Sequence, residues 1–207
     1  MKIKLTNVGK RFNHEWIFRG ISYEFTSGTS YAITGSNGSG KSTLLQIIAG
    51  ATLFNQGNIE YIDSETKVAH HEVYKYISVA APYLELIEEM TLLEFLHLHS
   101  ALKGWRTGMD TGDIVKIIEL KEAAHKQLRY FSSGMKQRVK LAQAIFSSVP
   151  VILLDEPNTN LDTDGIKLYN TLIENYCKDS LVIISSNDKE EYHFCTEVID
   201  IGKYKKG

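Results

Sequence analysis

Hydrophobic and polar positions alternate in two early stretches, Ile3-Lys4-Leu5 and Ile21-Ser22-Tyr23-Glu24-Phe25, and this period of two predicts half-buried strands. Residues 29–34 read as a short apolar strand that stops at Gly35. From Lys41 to Ala49 the apolar residues Leu44, Leu45 and Ile48 recur at helical spacing, with Gly50 just beyond as a stop. Residues 59–62, Val68 and residues 77–80 read as further short strands. After Pro82 the pattern changes. Thr91-Leu92-Leu93-Glu94 is a capping box that opens a leucine-rich helix over 92–102, and residues 114–124 are also helical in period. From Lys136 onward Val139, Ala142, Ile145 and Phe146 share one helical face. Val151-Ile152-Leu153-Leu154 is then a continuous apolar run, as expected of a parallel strand buried on both faces. An amphipathic helix over 166–176, with Leu172, Ile173 and Tyr176 on its apolar side, leads to another buried strand at 181–184.

Strands alternating with helices predict an α/β fold with a mainly parallel sheet, preceded by an N-terminal antiparallel β portion. Residues 1–207 are expected to form one domain. Its α/β core spans 1–81 and 136–207, with an inserted helical subdomain at 82–135. The 207 residues, 43% of them hydrophobic, suffice for a full core without disulfides or metal staples. A net charge of -2 gives no general attraction to nucleic acid or to an anionic membrane, so no nucleic-acid partner is expected. Lys203, Lys205 and Lys206 read as a solvated tail, and Cys177 and Cys195, outside any C-x-x-C pair, as reduced thiols. The first residues have no signal-peptide core, and no apolar run approaches the roughly 20 residues that span a bilayer. A cytoplasmic location follows as the expectation, with any membrane role supplied by a partner.

The chemistry begins at Gly35-Ser36-Asn37-Gly38-Ser39-Gly40-Lys41-Ser42, which fits G-x-x-x-x-G-K-[ST] between a strand and a helix. Glycines permit backbone turns that side chains would block, so that successive N–H groups converge on phosphate oxygens. The following helix adds its positive end, and Thr43 continues the phosphate-facing set. Lys41 is expected to reach the β and γ phosphates of ATP, and Ser42 to coordinate Mg2+. At the end of the buried apolar run stand Asp155 and Glu156. Strand C-termini are where open α/β sheets build their sites. Asp155 is the expected magnesium ligand and Glu156 the expected general base for the attacking water. Together these motifs predict a P-loop NTPase.

Phe131-Ser132-Ser133-Gly134-Met135-Lys136-Gln137-Arg138, shortly before the acidic strand, narrows the class. It resembles the L-S-G-G-Q signature of the ATP-binding cassette family, and the order of motifs along nearly the whole chain is similar to that family's. The resemblance implies a transporter's nucleotide-binding subunit that forms an ATP-dependent homo- or heterodimer of cassettes. Ser132 and Gly134 would then contact the γ-phosphate held by the other subunit. A separate transmembrane permease would be the partner, and the chain would lie peripherally on the inner face of the cell membrane. The resemblance further implies that Phe12, or less well Trp16, stacks on adenine, and that Asn160-Leu161-Asp162 couples the two active sites.

The chain departs from the family pattern at two places. Pro82 stands where the family's loop glutamine is expected, and Asn187, in Ser185-Ser186-Asn187-Asp188, where its switch histidine is expected. Asparagine can hydrogen-bond a γ-phosphate, which keeps Asn187 among the catalytic candidates with Lys41 and Glu156, but it carries no titratable proton. Ser133 and Met135 also replace the usual glycine and glutamine. Hydrolysis is therefore expected to be slow, or to depend heavily on Glu156 and a partner. Two alternatives stay open: a soluble cassette ATPase outside transport, and a regulatory cassette that binds ATP with little turnover. His70-His71 and His97/His99 read as surface or partly buried side chains, since residues two apart on a helix do not face one another.

Overall fold

The structure, a computed structural model, describes residues 1–204; Lys205 and Lys206 of the expected tail lie outside the described residues. The chain opens with a long antiparallel hairpin, β1 (Lys2–Phe12) and β2 (Glu15–Thr26), closed by Asn13-His14 with Asn13 in the left-handed region at φ 53°. Next come β3 (Ser30–Thr34), α1 (Lys41–Ile48), β4 (Gln56–Asp63), β5 (Thr66–Val68) and β6 (Ile77–Ala80). The helical block holds α2 (Leu92–Lys103) and α3 (Thr111–Ile117), and α4 (Ser133–Ile145) closes it. The chain then runs through β7 (Val151–Asp155), α5 (Thr163–Tyr176), β8 (Leu181–Ser185), α6 (Lys189–Tyr192) and β9 (Glu197–Asp200).

Two sheets result. One is antiparallel, in the order β2-β1-β4-β5, and the other is wholly parallel, in the order β6-β7-β8-β3-β9. All five residues of β7 and all five of β8 are buried. Their alternate side chains feed two cores. Val151, Leu153, Leu181 and Ile183 pack with α1 and the antiparallel sheet, whereas Ile152, Leu154, Val182 and Ile184 pack with α2, α3, α4 and α5. The uninterrupted apolar run is explained by this two-sided burial.

The capping box forms as expected: Thr91 Oγ1 accepts the Glu94 N–H, and Glu94 Oε2 accepts the Thr91 N–H at 2.8 Å. Three features differ from expectation. The hairpin strands extend far beyond their clearly alternating centres, because bulges between Leu5 and Lys10 break the period. The helix predicted over 114–124 ends at Ile117, since Glu119 turns left-handed at φ 59° and Leu120 folds back into the core. The edge strand β9 has no apolar run, as only Ile199 of its four residues is buried.

A polar cluster ties the helical block to the parallel sheet. His99 stacks on Trp105 with ring centroids 5.2 Å apart, and its Nε2 meets Ser147 Oγ at 2.7 Å. Lys103 donates to the Tyr74 carbonyl at 2.9 Å and to the Ile77 carbonyl. Burial, reinforced by the nearby Lys103 ammonium, pushes the His99 pKa down from 6.5 to about 4. The folded chain thus favours the neutral ring. The resulting stability is complete above pH 6.5 and is lost as pH falls toward 4, where only the unfolded chain would take up the proton. Thermal unfolding at pH 7, 6 and 5 should show a steeper loss of stability for the parent than for His99→Gln, which keeps a polar contact to Ser147 without titrating.

Candidate functional site

Four loops leave the C-terminal ends of β3, β6, β7 and β8 and meet on one edge of the parallel sheet. The loop after β3 is the glycine-rich segment. Gly35, Gly38 and Gly40 take positive φ of 146°, 74° and 99°. At Gly40 no side chain fits, because a Cβ would lie 2.4 Å from Ile17 Cγ2. The first intrahelical bond of α1 runs from Leu44 N–H to Gly40 O at 2.8 Å. The N–H groups of Lys41, Ser42 and Thr43 therefore precede the helix's own ladder, at its positive end, as a cradle for phosphate requires. Lys41 is 5% exposed, and its ammonium is held inside the loop by the carbonyls of Gly35 at 2.9 Å and Ser36 at 3.4 Å.

Asp155 closes β7 and is 2% exposed, and its Oδ1 has no hydrogen-bond partner. A buried carboxylate oxygen without a donor is costly. This orphaned oxygen suits a hydrated divalent cation, and it and the Ser42 hydroxyl are both hard oxygen donors of the kind magnesium prefers. Glu156 is exposed and stands in the left-handed region at φ 44°, which costs a non-glycine residue on the order of 1–3 kcal/mol. Its N–H donates to Ser185 O at 2.9 Å. Glu156 lines a cavity of about 240 Å³ with Ile17, Asn37, Gly38, Gly40, Lys41, Ser42 and Thr43. The carboxylate thus faces the same space as the phosphate cradle, while Asp155 is buried beside it.

Asn187, after β8, bridges to the same loop. Its Oδ1 accepts the Gly35 N–H at 3.2 Å, and its Nδ2 donates to Asn37 Oδ1 at 3.1 Å. After β6, Pro82 leads a turn closed by Leu84 N–H on Ala81 O at 3.2 Å. Tyr83, half-exposed, is the side chain of this segment that lies near both Gln46 and Asp155. Burial raises its phenol above the ordinary range; the Gln46 amide works against that, and the Asp155 carboxylate adds to it.

The signature segment lies elsewhere. Ser132 caps α4, its hydroxyl accepting the Met135 N–H at 3.2 Å. Ser132, Ser133, Gly134, Met135 and Arg138 line a cavity of about 530 Å³ together with Asn160, Leu161 and Asp162. Gly134 leaves little room there, as a Cβ would lie 3.0 Å from Asn160 O. This cavity shares no lining residue with that of the glycine-rich loop. Two linkers from α4 were not singled out in the sequence. Gln137, 2% exposed, donates to Pro157 O at 2.8 Å, and Lys140 donates to Pro82 O at 2.9 Å. Of the expected adenine partners, neither Phe12 nor Trp16 lines the loop cavity, where the hairpin contributes Ile17. Phe12 is 53% exposed under the Lys10 ammonium, 4.7 Å from the ring centroid, and Trp16 lies beneath Arg19 at 4.8 Å. Both cysteines are free, and burial pushes their thiols up to about 12.

The chain is similar to known proteins over most of its length. A family model described as ABC transporter matches residues 18–159. The chain is 31% identical over 196 residues to an uncharacterized ABC transporter ATP-binding protein, YybJ, of Bacillus subtilis (strain 168), covering 91% of this chain and 87% of that protein. It is similar to MJ0796, a bacterial ABC transporter cassette solved as a dimer, with a TM-score of 0.77 and 26% identity over 97% of this chain and 95% of the other. A post-hydrolysis state of the dimeric MJ0796 cassette, bound to ADP and Pi, superposes with a TM-score of 0.78 at 24% identity over 97% and 95% of the two chains.

The glycines of the loop should differ in their tolerance. A Cβ at Gly38 meets nothing within 4 Å, so Gly38→Ala should cost only the left-handed penalty of about 1–2 kcal/mol. Gly40→Ala adds the clash with Ile17 and should cost more than twice as much and abolish ATP binding, as denaturant unfolding and nucleotide titration would report.

Proposed function

The chain belongs to the ABC transporter family of ATP-binding subunits, and on that premise we propose that it binds Mg-ATP on the loop at residues 35–42 and hydrolyses it with Glu156 as general base. The observation that carries this is the shared cavity of Glu156 and the phosphate cradle. Lys41 and the N–H groups at the start of α1 bind and orient the β and γ phosphates. Glu156, exposed at the cavity, takes the proton of the attacking water. Ser42 and Asp155 would hold the magnesium ion, which neutralises charge on the phosphate oxygens when bound. Asn187, already bonded to the loop, donates its amide to the γ-phosphate but cannot exchange a proton with it.

The cavity that holds Ser132 and Gly134 is separate from the loop cavity, so one chain carries two half-sites. We infer that two cassettes pair head to tail, each supplying its signature segment to the other's ATP, and the dimeric MJ0796 cassette supports this reading. The second copy can be this chain or a related cassette. No helix among the described residues is long and apolar enough to cross a membrane. We propose that the membrane-spanning part of the transporter is a permease on another chain, with this chain peripheral on the cytoplasmic side. Its docking site is the groove of about 460 Å³ formed by Pro82, Leu84, Leu86, Glu88, Lys136 and Lys140, beside exposed Tyr83 and Ile87. Pro82 and Asn187 offer no amide side chain from the β6 loop and no imidazole from the β8 loop, so basal turnover is slow.

Glu156→Gln should lower phosphate release by about 10²–10⁴-fold while ATP binding and ATP-dependent pairing, followed by sedimentation, persist. Parent-level release in Glu156→Gln would overturn the assignment of the base. Failure of the parent to bind ATP would overturn the whole reading, and fast turnover of the isolated chain would overturn the slow one.

A further inference from the structure

Glu191 is a carboxylate outside the phosphate cradle, yet it is only 5% exposed. It lies in α6, immediately after the segment that carries Asn187. Asp188 sets the start of that short helix. Its N–H donates to Ser186 Oγ at 2.9 Å, and its carboxylate accepts the Glu190 N–H at 2.9 Å. Glu191 is tied down at both its ends. Its backbone carbonyl accepts the Tyr169 hydroxyl from α5 at 2.7 Å, and its side-chain Oε1 accepts the Asn158 N–H at 2.7 Å.

Asn158 belongs to the loop that carries Glu156. This loop holds two left-handed non-glycine residues, Glu156 at φ 44° and Asn160 at φ 67°. Such a conformation persists only where its surroundings over-determine it. Three consecutive residues receive anchors from three different elements. Glu156 N–H donates to Ser185 O of β8 at 2.9 Å, Pro157 O accepts from Gln137 of α4 at 2.8 Å, and Asn158 N–H donates to Glu191 of α6. The α4 anchor comes from the signature helix, and the α6 anchor comes from the segment of Asn187. Glu156, Asn158, Asn187, Asp188 and Glu191 also line one further cavity, of about 350 Å³.

We propose that Glu191 is a positioning residue for hydrolysis: by accepting the Asn158 N–H it holds the turn that presents Glu156 to the phosphate cradle. It is not a catalytic residue, because its contacts are to the loop and not to the cradle. Glu191 acts through Glu156, so the role rests on the assignment of Glu156 as the general base. The bond needs an acceptor oxygen, not a charge. Burial raises the Glu191 carboxyl above the ordinary range, the Ser186 hydroxyl and Asn158 N–H pull it back, and Asp188 and Glu156 push it further up. An amide at this place keeps the acceptor and loses only the charge.

The test compares Glu191→Ala, Glu191→Gln and Glu156→Gln in the full chain, with kcat, KM for ATP and ATP binding measured for each. Glu191→Ala should lower kcat about 10- to 100-fold with ATP affinity within about twofold of the parent. Glu191→Gln should restore kcat to within about threefold of the parent. Parent-level kcat in Glu191→Ala, or a Glu191→Gln as slow as Glu191→Ala, would overturn the proposal. A Glu156→Gln that turns over like the parent would instead overturn the underlying assignment of the base. Hydrogen exchange reads the contact itself and does not depend on turnover. The Asn158 amide should exchange at least tenfold faster in Glu191→Ala, with exchange at residues 35–42 unchanged; equal exchange at Asn158 in variant and parent would also sink the idea.

Discussion

Burial of β7 on both faces is the constraint on which the rest of the molecule depends. Five consecutive residues, Val151–Asp155, are removed from water, and the fifth is a carboxylate. Burying the four apolar side chains stabilises the strand by roughly 1.5–3 kcal/mol each. That gain holds Asp155 at a depth it would not choose alone. The same strand divides the interior, sending Val151 and Leu153 toward α1 and Ile152 and Leu154 toward the helical block. The loops that carry Lys41, Glu156 and Asn187 are therefore placed relative to one sheet edge. The glycine-rich loop leaves it one strand beyond β8, and the Tyr83 turn leaves it from the neighbour on the other side.

Around that fixed edge the loops hold conformations that local sequence does not favour. Glu156, Asn160 and Glu119 all have positive φ without being glycine. Two of them are held from outside their own segments: Glu156 donates its N–H to Ser185 O, and Glu119 pairs with Arg138 of α4. Helix α4 is the common strut. Ser132 caps its start, Gln137 reaches the loop after β7, Arg138 reaches Glu119, and Lys140 reaches the turn after β6. The signature segment and the acidic loop thus belong to one mechanically connected unit, even though their cavities share no lining residue.

These features explain what could be read from the sequence. The parallel strands were legible because two-sided burial demands an unbroken apolar run, as at Val151-Ile152-Leu153-Leu154. The phosphate loop was legible because its glycines are required by sterics, and the Thr91–Glu94 cap because it is a local exchange of hydrogen bonds. The end of α3 was hidden, since Glu119 carries no helix-breaking signature and its left-handed turn comes from packing of Leu120. Strand β9 was hidden because its edge position leaves Val198 facing solvent. In the site, Lys41 and Glu156 line one cavity, and Asn187 hydrogen-bonds the same loop. Ile17, Gln137 and Glu191 could not be picked out, because their importance comes from contacts between distant segments and not from any local pattern.

The division of the chemistry between two cavities with no shared residue has a genetic meaning. In a head-to-tail pair each composite site takes its cradle from one copy and its cap from the other. A chain damaged only in the cradle and a chain damaged only in the cap would, when paired, assemble one site from two intact halves and another from two broken ones. Alleles that are each inactive alone would then complement one another within the same gene, whereas two lesions in the same half would not.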